Sequence, residues 1–122
     1  MSVRGIRGAI TVSVNEEEPI LEATRKLLRE IVDRNHVQPE EIVSVFITMS
    51  PDLDATFPAR AIRIMPGWEA VPLMCATEID VPGALERCIR LLILVNTELQ
   101  ANEIHHAYLG EARRLRPDLA ER

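Results

Sequence analysis

The sequence predicts one α/β (α+β) domain: a mixed β-sheet of about five strands carrying one long helix. Three observations predict it. Strand-length apolar segments recur at 3–14, 42–49, 69–76, 88–95 and 104–109, set off by turn residues. Between the first two lies a single long stretch of helical periodicity. The 122 residues are enough for one domain with a real core but not for two. Residues 1–122 are therefore read as one domain, with 116–122 a mobile C-terminal tail.

From Val3 to Val14 the first strand places Val3, Gly5, Arg7, Ala9 and Thr11 on one face and Ile6, Ile10 and Val12 on the other. Arg7 thus stands between two very small neighbours, where a ligand or another backbone can come close. Asn15 offers a capping side chain, and Glu16, Glu17 and Glu18 put acids in the first helical turn. Ile20, Thr24, Leu27, Leu28 and Ile31 then share one face, with Arg25, Lys26, Arg29, Glu30 and Asp33 covering the rest. Asn35 and Pro39 end the helix.

Ile42 to Met49 is the second strand, and Ser50-Pro51-Asp52 turns the chain. Phe57 to Arg63 reads as a short helix with Pro58 at its first position. Its Arg60 and Arg63 are three apart and can point the same way. Glu69 to Ala76 is a third strand, and Pro72 inside it argues for an edge or bulge position. Glu78 follows with the parity of Met74 and Ala76. Ile104 to Leu109 is a short last strand carrying Tyr108, and one helical turn follows over 110–115.

The run Cys88-Ile89-Arg90-Leu91-Leu92-Ile93-Leu94-Val95 is apolar on both sides of the alternation, as in a strand buried on both faces. Arg90 is the exception. It shares a face with Cys88, Leu92 and Leu94. A guanidinium cannot lose its proton, so burial there requires a carboxylate from the protein or an anionic ligand. One helix can cover only one face of five strands, so another copy of the chain is expected on the second face.

Composition narrows the function. Hydrophobic residues are 47% and charged residues 27%, as in an ordinary globular protein. The net charge of −5 and a pI near 5.2 argue against a nucleic-acid or membrane-surface partner. No apolar run reaches the ~18 residues of a membrane span, and the N-terminus lacks the pattern of a signal peptide. The two cysteines, Cys75 and Cys88, sit in apolar stretches and read as reduced thiols of a cytoplasmic protein.

The chemistry-bearing residues are Arg7, Arg60, Arg63, Arg90, Arg116, Glu78, Cys75 and Tyr108. They contain no nucleophile elbow, phosphate loop or dinucleotide fingerprint. His105 and His106 are adjacent and face opposite ways on a strand, unlike a zinc pair, so no metal is expected. Arginines with a tyrosine hold small polyanions by bidentate hydrogen bonds. A buried arginine can stabilise negative charge developing on an oxygen. The set suits a unimolecular rearrangement without a cofactor, or an anion-binding module.

Six segments carry a resemblance: R-G-I-R-G-A at 4–9, T-F-P-A-R-A-I-R at 56–63, G-W-x-x-V-P-L-x-C at 67–75, C-I-R at 88–90, H-x-Y-L at 106–109 and L-R-P-D-L at 115–119. In this order and spacing they resemble the small monofunctional chorismate mutases of the pseudo-α/β-barrel class, from Val3 to Leu119 without evident insertions. The resemblance implies a homotrimer with a barrel-like core and a site in each cleft between subunits. It implies the Claisen [3,3] rearrangement of chorismate to prephenate in aromatic amino acid biosynthesis, with no cofactor, metal or covalent intermediate.

By position, the resemblance implies that Arg90 contacts the ether oxygen and a carboxylate of the substrate. Arg7 binds a carboxylate with Tyr108 beside it, and Glu78 and Cys75 hold the ring hydroxyl. Phe57, Ala59 and Leu115 form apolar wall, with Leu73 and Met74 also at the substrate. Met74 stands where a threonine can occur, so its contact is through backbone. Arg63 and Arg116 lie near the mouth. Arg60 stands where the family often has lysine. Two other readings compete: a trimeric imine/enamine deaminase with a cleft arginine, and a non-catalytic module that binds anionic metabolites.

Overall fold

The long amphipathic stretch sets the layout. Ile20, Thr24, Leu27, Leu28 and Ile31 lie on one side of helix α1 (Glu17–Asn35), and all are buried. In the computed structural model, which describes residues 1–120, they pack with Ile6, Ile10, Ile47, Ile89 and Ile93 of a five-stranded sheet.

The strands are β1 (Ser2–Thr11), β2 (Ile42–Met49), β3 (Leu73–Thr77), β4 (Cys88–Thr97) and β5 (Ala107–Leu109). Helix α2 (Ala59–Arg63) lies between β2 and β3, and α3 (Pro117–Ala120) follows β5. The sheet order is β3-β2-β4-β1-β5. β4 is antiparallel to both β1 and β2, whereas the outer strands β3 and β5 run parallel to their neighbours. The mixed sheet expected from the sequence is present, with β3 on an edge as Pro72 suggested.

Some details differ from the sequence reading. Asn15 does not cap α1: the N-cap is Glu16, without a side-chain cap. Asn15 instead accepts from the backbone N–H groups of Asp54 and Ala55, at 3.1 Å each, and donates to Asp54 Oδ1. A local turn had a stronger claim on the same amide. β3 starts at Leu73 rather than Glu69, because Trp68 N–H and Val71 N–H close successive turns onto Met65 and Trp68 carbonyls.

β5 starts at Ala107 rather than Ile104. Both backbone groups of His105 are already taken by the buried Asn35 side chain, at 2.8 Å each, and so cannot join the ladder. Within one chain β4 is covered on one face, and the other is left for the second copy that the sequence reading expects there. Ile89, Leu91, Ile93 and Val95 are buried under α1, while Arg90 and Leu92 are exposed on the opposite side.

That second face is open within one chain. Its register row Met74–Phe46–Leu92–Arg7 crosses β3, β2, β4 and β1. Met74, Phe46 and Leu92 are 63%, 40% and 41% exposed, and Val3 is 54% exposed. Among the described residues one end of this face is covered, by a cluster of Ala9, Cys88, Tyr108, Ala112 and Leu119, with Leu85 and Leu115 packed against it. Leu119 ties α3 into this cluster. Residues 121–122 of the expected tail lie outside the described residues.

Candidate active site

The next register row places chemistry where the previous one places oil. Ala76, Thr48, Arg90, Ala9 and Tyr108 are successive partners across all five strands. Glu78, one residue beyond β3, hangs on the end of β2 through its N–H to the Met49 carbonyl, 2.8 Å. Its Oε1 meets Arg90 Nε at 3.0 Å. Arg7 lies one row away on the same face, opposite Leu92. Its backbone N–H donates to His106 Nδ1 at 2.9 Å, and its exposed side chain has no ion-pair partner among the described residues.

Arg90, Glu78, Cys88, Asp52, Asp80 and Leu85 line a cavity of about 470 Å³. The pair within it is wet: the Arg90 and Glu78 side chains retain 45% and 32% of their exposure. Pairs of that kind contribute only ~0–1 kcal/mol to stability. The arrangement therefore presents a cation oriented by a carboxylate, rather than a structural ion pair of the interior. Burial pushes the Cys88 thiol above its ordinary pKa; Arg90 nearby pulls the other way, and Glu78 and Asp52 add to the rise. A neutral thiol thus lies beside the guanidinium.

Leu115 packs against the Tyr108 cluster. Arg116 clasps Asp118 with Nε and Nη2, at 3.1 and 2.9 Å. That clasp holds the Asp118 carboxyl below its ordinary pKa and raises that of Arg116.

The remaining expected residues form a second group on the other side of β3. Alternation turns Leu73 and Cys75 away from Met74, toward α2. With Phe57, Ala59 and Arg63 they line a separate cavity of about 470 Å³. Arg60 is not part of its lining. Arg60 Nη1 is held by Glu17 Oε1 at 2.5 Å and Thr56 Oγ1 at 2.7 Å, at the start of α1. One chain therefore brings Arg90, Glu78, Arg7, Tyr108, Leu115 and Arg116 to the open face. It keeps Phe57, Ala59, Arg63, Leu73 and Cys75 on the far side of an edge strand.

Sequence reasoning passed over Ser50, Asp52 and Cys88. Ser50 and Asp52 looked like turn residues and Cys88 like a core thiol. Parity already put Cys88 on the face of Arg90; its place in an apolar run hid its part in the site. Among the described residues no three His, Cys, Asp or Glu side chains converge as a metal site, and no helix is long and apolar enough to cross a membrane.

Comparison with known proteins agrees with this geometry. The sequence matches the profile of the family described as chorismate mutase type I over residues 3–119. It is 46% identical over 120 residues to chorismate mutase AroH of Bacillus subtilis (strain 168), covering 98% of this chain and 94% of that protein. It is 49% identical over 118 residues to chorismate mutase AroH of Thermus thermophilus, covering 96% of each. Among solved structures, a chorismate mutase from Clostridium thermocellum superposes with a TM-score of 0.88 at 47% identity, covering 90% of this chain and 97% of that one. With a match that spans nearly every residue, the chain belongs to the chorismate mutase type I family.

Proposed function

We propose that this protein converts chorismate to prephenate, and does so as a homotrimer with one site at each subunit boundary. The observation that carries the reading is Arg90, a guanidinium oriented by Glu78 through Nε on the open face, one row from Arg7. The split of the expected residues supports the assembly. The edge of one copy, bearing Phe57, Ala59, Arg63, Leu73 and Cys75, would complete the open face of the next. The exposed row of Met74, Phe46 and Leu92 gives that contact its apolar area.

The reaction breaks the ether C–O bond and forms a C–C bond within one molecule. No proton, electron or leaving group is exchanged with the protein. What the protein supplies is shape and charge. Arg7, with Tyr108 beside it, would bind one carboxylate. Arg63 and Arg116 would guide the dianion at the mouth of an otherwise acidic protein. Phe57, Ala59, Leu73 and Leu115 would form the apolar wall that holds the enolpyruvyl arm over the ring, with the Met74 backbone alongside. Glu78 and Cys75, contributed from facing subunits, would hold the ring hydroxyl.

As the C–O bond lengthens, negative charge grows on the ether oxygen, and Arg90 meets it with a cation already in place. A rate gain of ~10⁶ corresponds to roughly 8 kcal/mol, shared between this electrostatic contribution and preorganisation of the reactive conformer. A role in aromatic amino acid biosynthesis and a cytoplasmic location follow from the same reading.

The test is the loss of chorismate absorbance with purified protein, with products separated by chromatography and mass measured by sedimentation. Saturable prephenate formation by a species three times the 13.7 kDa chain is expected. A folded oligomer that binds chorismate and leaves it unchanged would point to the binding module. Release of ammonia from imino acids would point to the deaminase.

A further inference from the structure

At the end of β2 the chain builds a clamp around the first residues of β4. Ser50 N–H donates to the Cys88 carbonyl at 3.0 Å, continuing the ladder. The return bond is irregular: Cys88 N–H donates to the Ser50 hydroxyl, 2.9 Å, instead of to a backbone carbonyl. That hydroxyl in turn donates to Asp52 Oδ1 at 2.5 Å. Both oxygens of Asp52 accept the N–H of Arg87, at 3.1 and 3.0 Å.

Arg87 is one of two non-glycine residues with positive φ among those described, at 46°. An L-residue holds this left-handed conformation only when its surroundings over-determine it. Here they do. Besides Asp52, Arg87 exchanges bonds with the end of β1: Val12 N–H to its carbonyl at 2.8 Å, and its own Nε to the Val12 carbonyl at 3.1 Å.

We infer that Asp52 is a positioning residue for Arg90, acting with Ser50 to fix where β4 begins. The conclusion rests on the reading of Arg90 given above. Both members of the Arg90–Glu78 pair are referenced to the same short segment. Glu78 is hung from Met49, and β4 is anchored by Ser50 and Asp52. Arg90 lies three positions after Arg87, so any relaxation of the left-handed residue is transmitted along one extended strand to the guanidinium. A carboxylate suits this task for a chemical reason. Only it can accept the Arg87 N–H with both oxygens while also accepting from Ser50. Its charge, on the wall of a cavity meant for a dianion, would otherwise oppose binding.

The experiment compares Asp52→Ala, Asp52→Asn and Ser50→Ala with the native trimer, reading kcat and KM separately. Asp52→Ala should lower kcat by about 10- to 100-fold with KM changed by less than about three-fold, because misplacing a group that acts in the transition state acts on kcat. Asp52→Asn keeps one acceptor for Arg87 N–H and should recover most of that loss. If Asp52→Ala does not assemble, Ser50→Ala carries the test, with kcat expected to fall about 3- to 10-fold.

Any assembled Asp52→Ala trimer, or failing that Ser50→Ala trimer, with native kcat overturns the inference, as does a loss confined to KM. A second readout separates positioning from general structure. In an Arg90→Lys background Asp52→Ala should cost less than about two-fold more, since the fork it positions is gone; a fully additive loss overturns the inference. If Arg90→Lys alone leaves turnover intact, the Arg90 reading and this one fall together. If it collapses turnover and Asp52→Ala does not, only the positioning role falls.

Discussion

Replacing Arg90 with citrulline removes its charge and keeps its shape, and the structure separates the effect on the fold from the effect on the reaction. The pair with Glu78 is 45% and 32% exposed. Its loss should cost ~0–1 kcal/mol of stability, a shift of a few degrees in melting temperature. The reaction is more demanding. A developing charge of ~0.4 at ~3 Å, with an effective dielectric constant of ~20, interacts with a full cation by about 2 kcal/mol. Loss of a preorganised donor at a developing oxyanion elsewhere costs about 2.7–4 kcal/mol.

These figures bracket a fall in kcat of about 30- to 1,000-fold; on the proposed reading chorismate should still bind through Arg7, Arg63 and Arg116. Semisynthetic protein, assayed by chorismate absorbance and by calorimetric titration, gives both numbers. Turnover within about three-fold of native in the citrulline protein would refute transition-state charge stabilisation at Arg90.

Three further outcomes follow from the same structure. Gly8→Ala places a Cβ 2.5 Å from Ile31 Cδ1 and 3.3 Å from the Ala107 carbonyl, under the best-buried part of α1. Urea unfolding should show a loss of about 1–3 kcal/mol from overpacking, and an unchanged midpoint would mean that the helix shifts freely. Truncation after Leu115 removes Arg116 and the buried Leu119; KM should rise several-fold with kcat within about three-fold, and unchanged kinetics would reduce the tail to surface. The raised pKa of Cys88 keeps its proton on in the folded state while the unfolded thiol loses its own above roughly pH 8.5. Stability should therefore fall as pH climbs beyond that value, and Cys88→Ser should show a shallower alkaline decline; equal slopes would contradict the shift.

The parts of the fold set by periodicity could be read directly. The apolar face of α1 at 20, 24, 27, 28 and 31 is the buried one, and alternation correctly put Arg90 beside Cys88 and Leu92. What sequence could not give was competition for backbone groups. Nothing local announces that Asn35, seventy residues away, will occupy both backbone groups of His105 and delay β5. Nor does anything announce that Asn15 will serve the 54–55 turn instead of α1.

The site shows the same division. The resemblance named residues one by one, and parity grouped Glu78 with Met74 and Ala76; the sheet order then set that group beside Arg90. Alternation at Leu73, Met74 and Cys75 already implied two faces for one set of residues. Pro72 left an edge or a bulge open; the sheet order shows that these faces belong to an edge strand, where a neighbouring copy would meet them.

The strand order has a consequence for how the chain comes into being. β1 has only β4 and β5 as neighbours, and β2 has only β3 and β4. The register joins Ser2 to Thr97. At a synthesis rate of about 5–20 residues per second, β1 waits roughly 4–17 s on the ribosome before its partner exists. During that time it is an unpaired apolar ribbon in need of shelter. β2, α2 and β3 can associate earlier, but they remain a separate half until β4 emerges between the two. Long-range closure of this kind slows folding. β4 is the seam along which the two halves are sewn, so substitutions at Ile89, Ile93 or Val95 should delay maturation of the newborn chain.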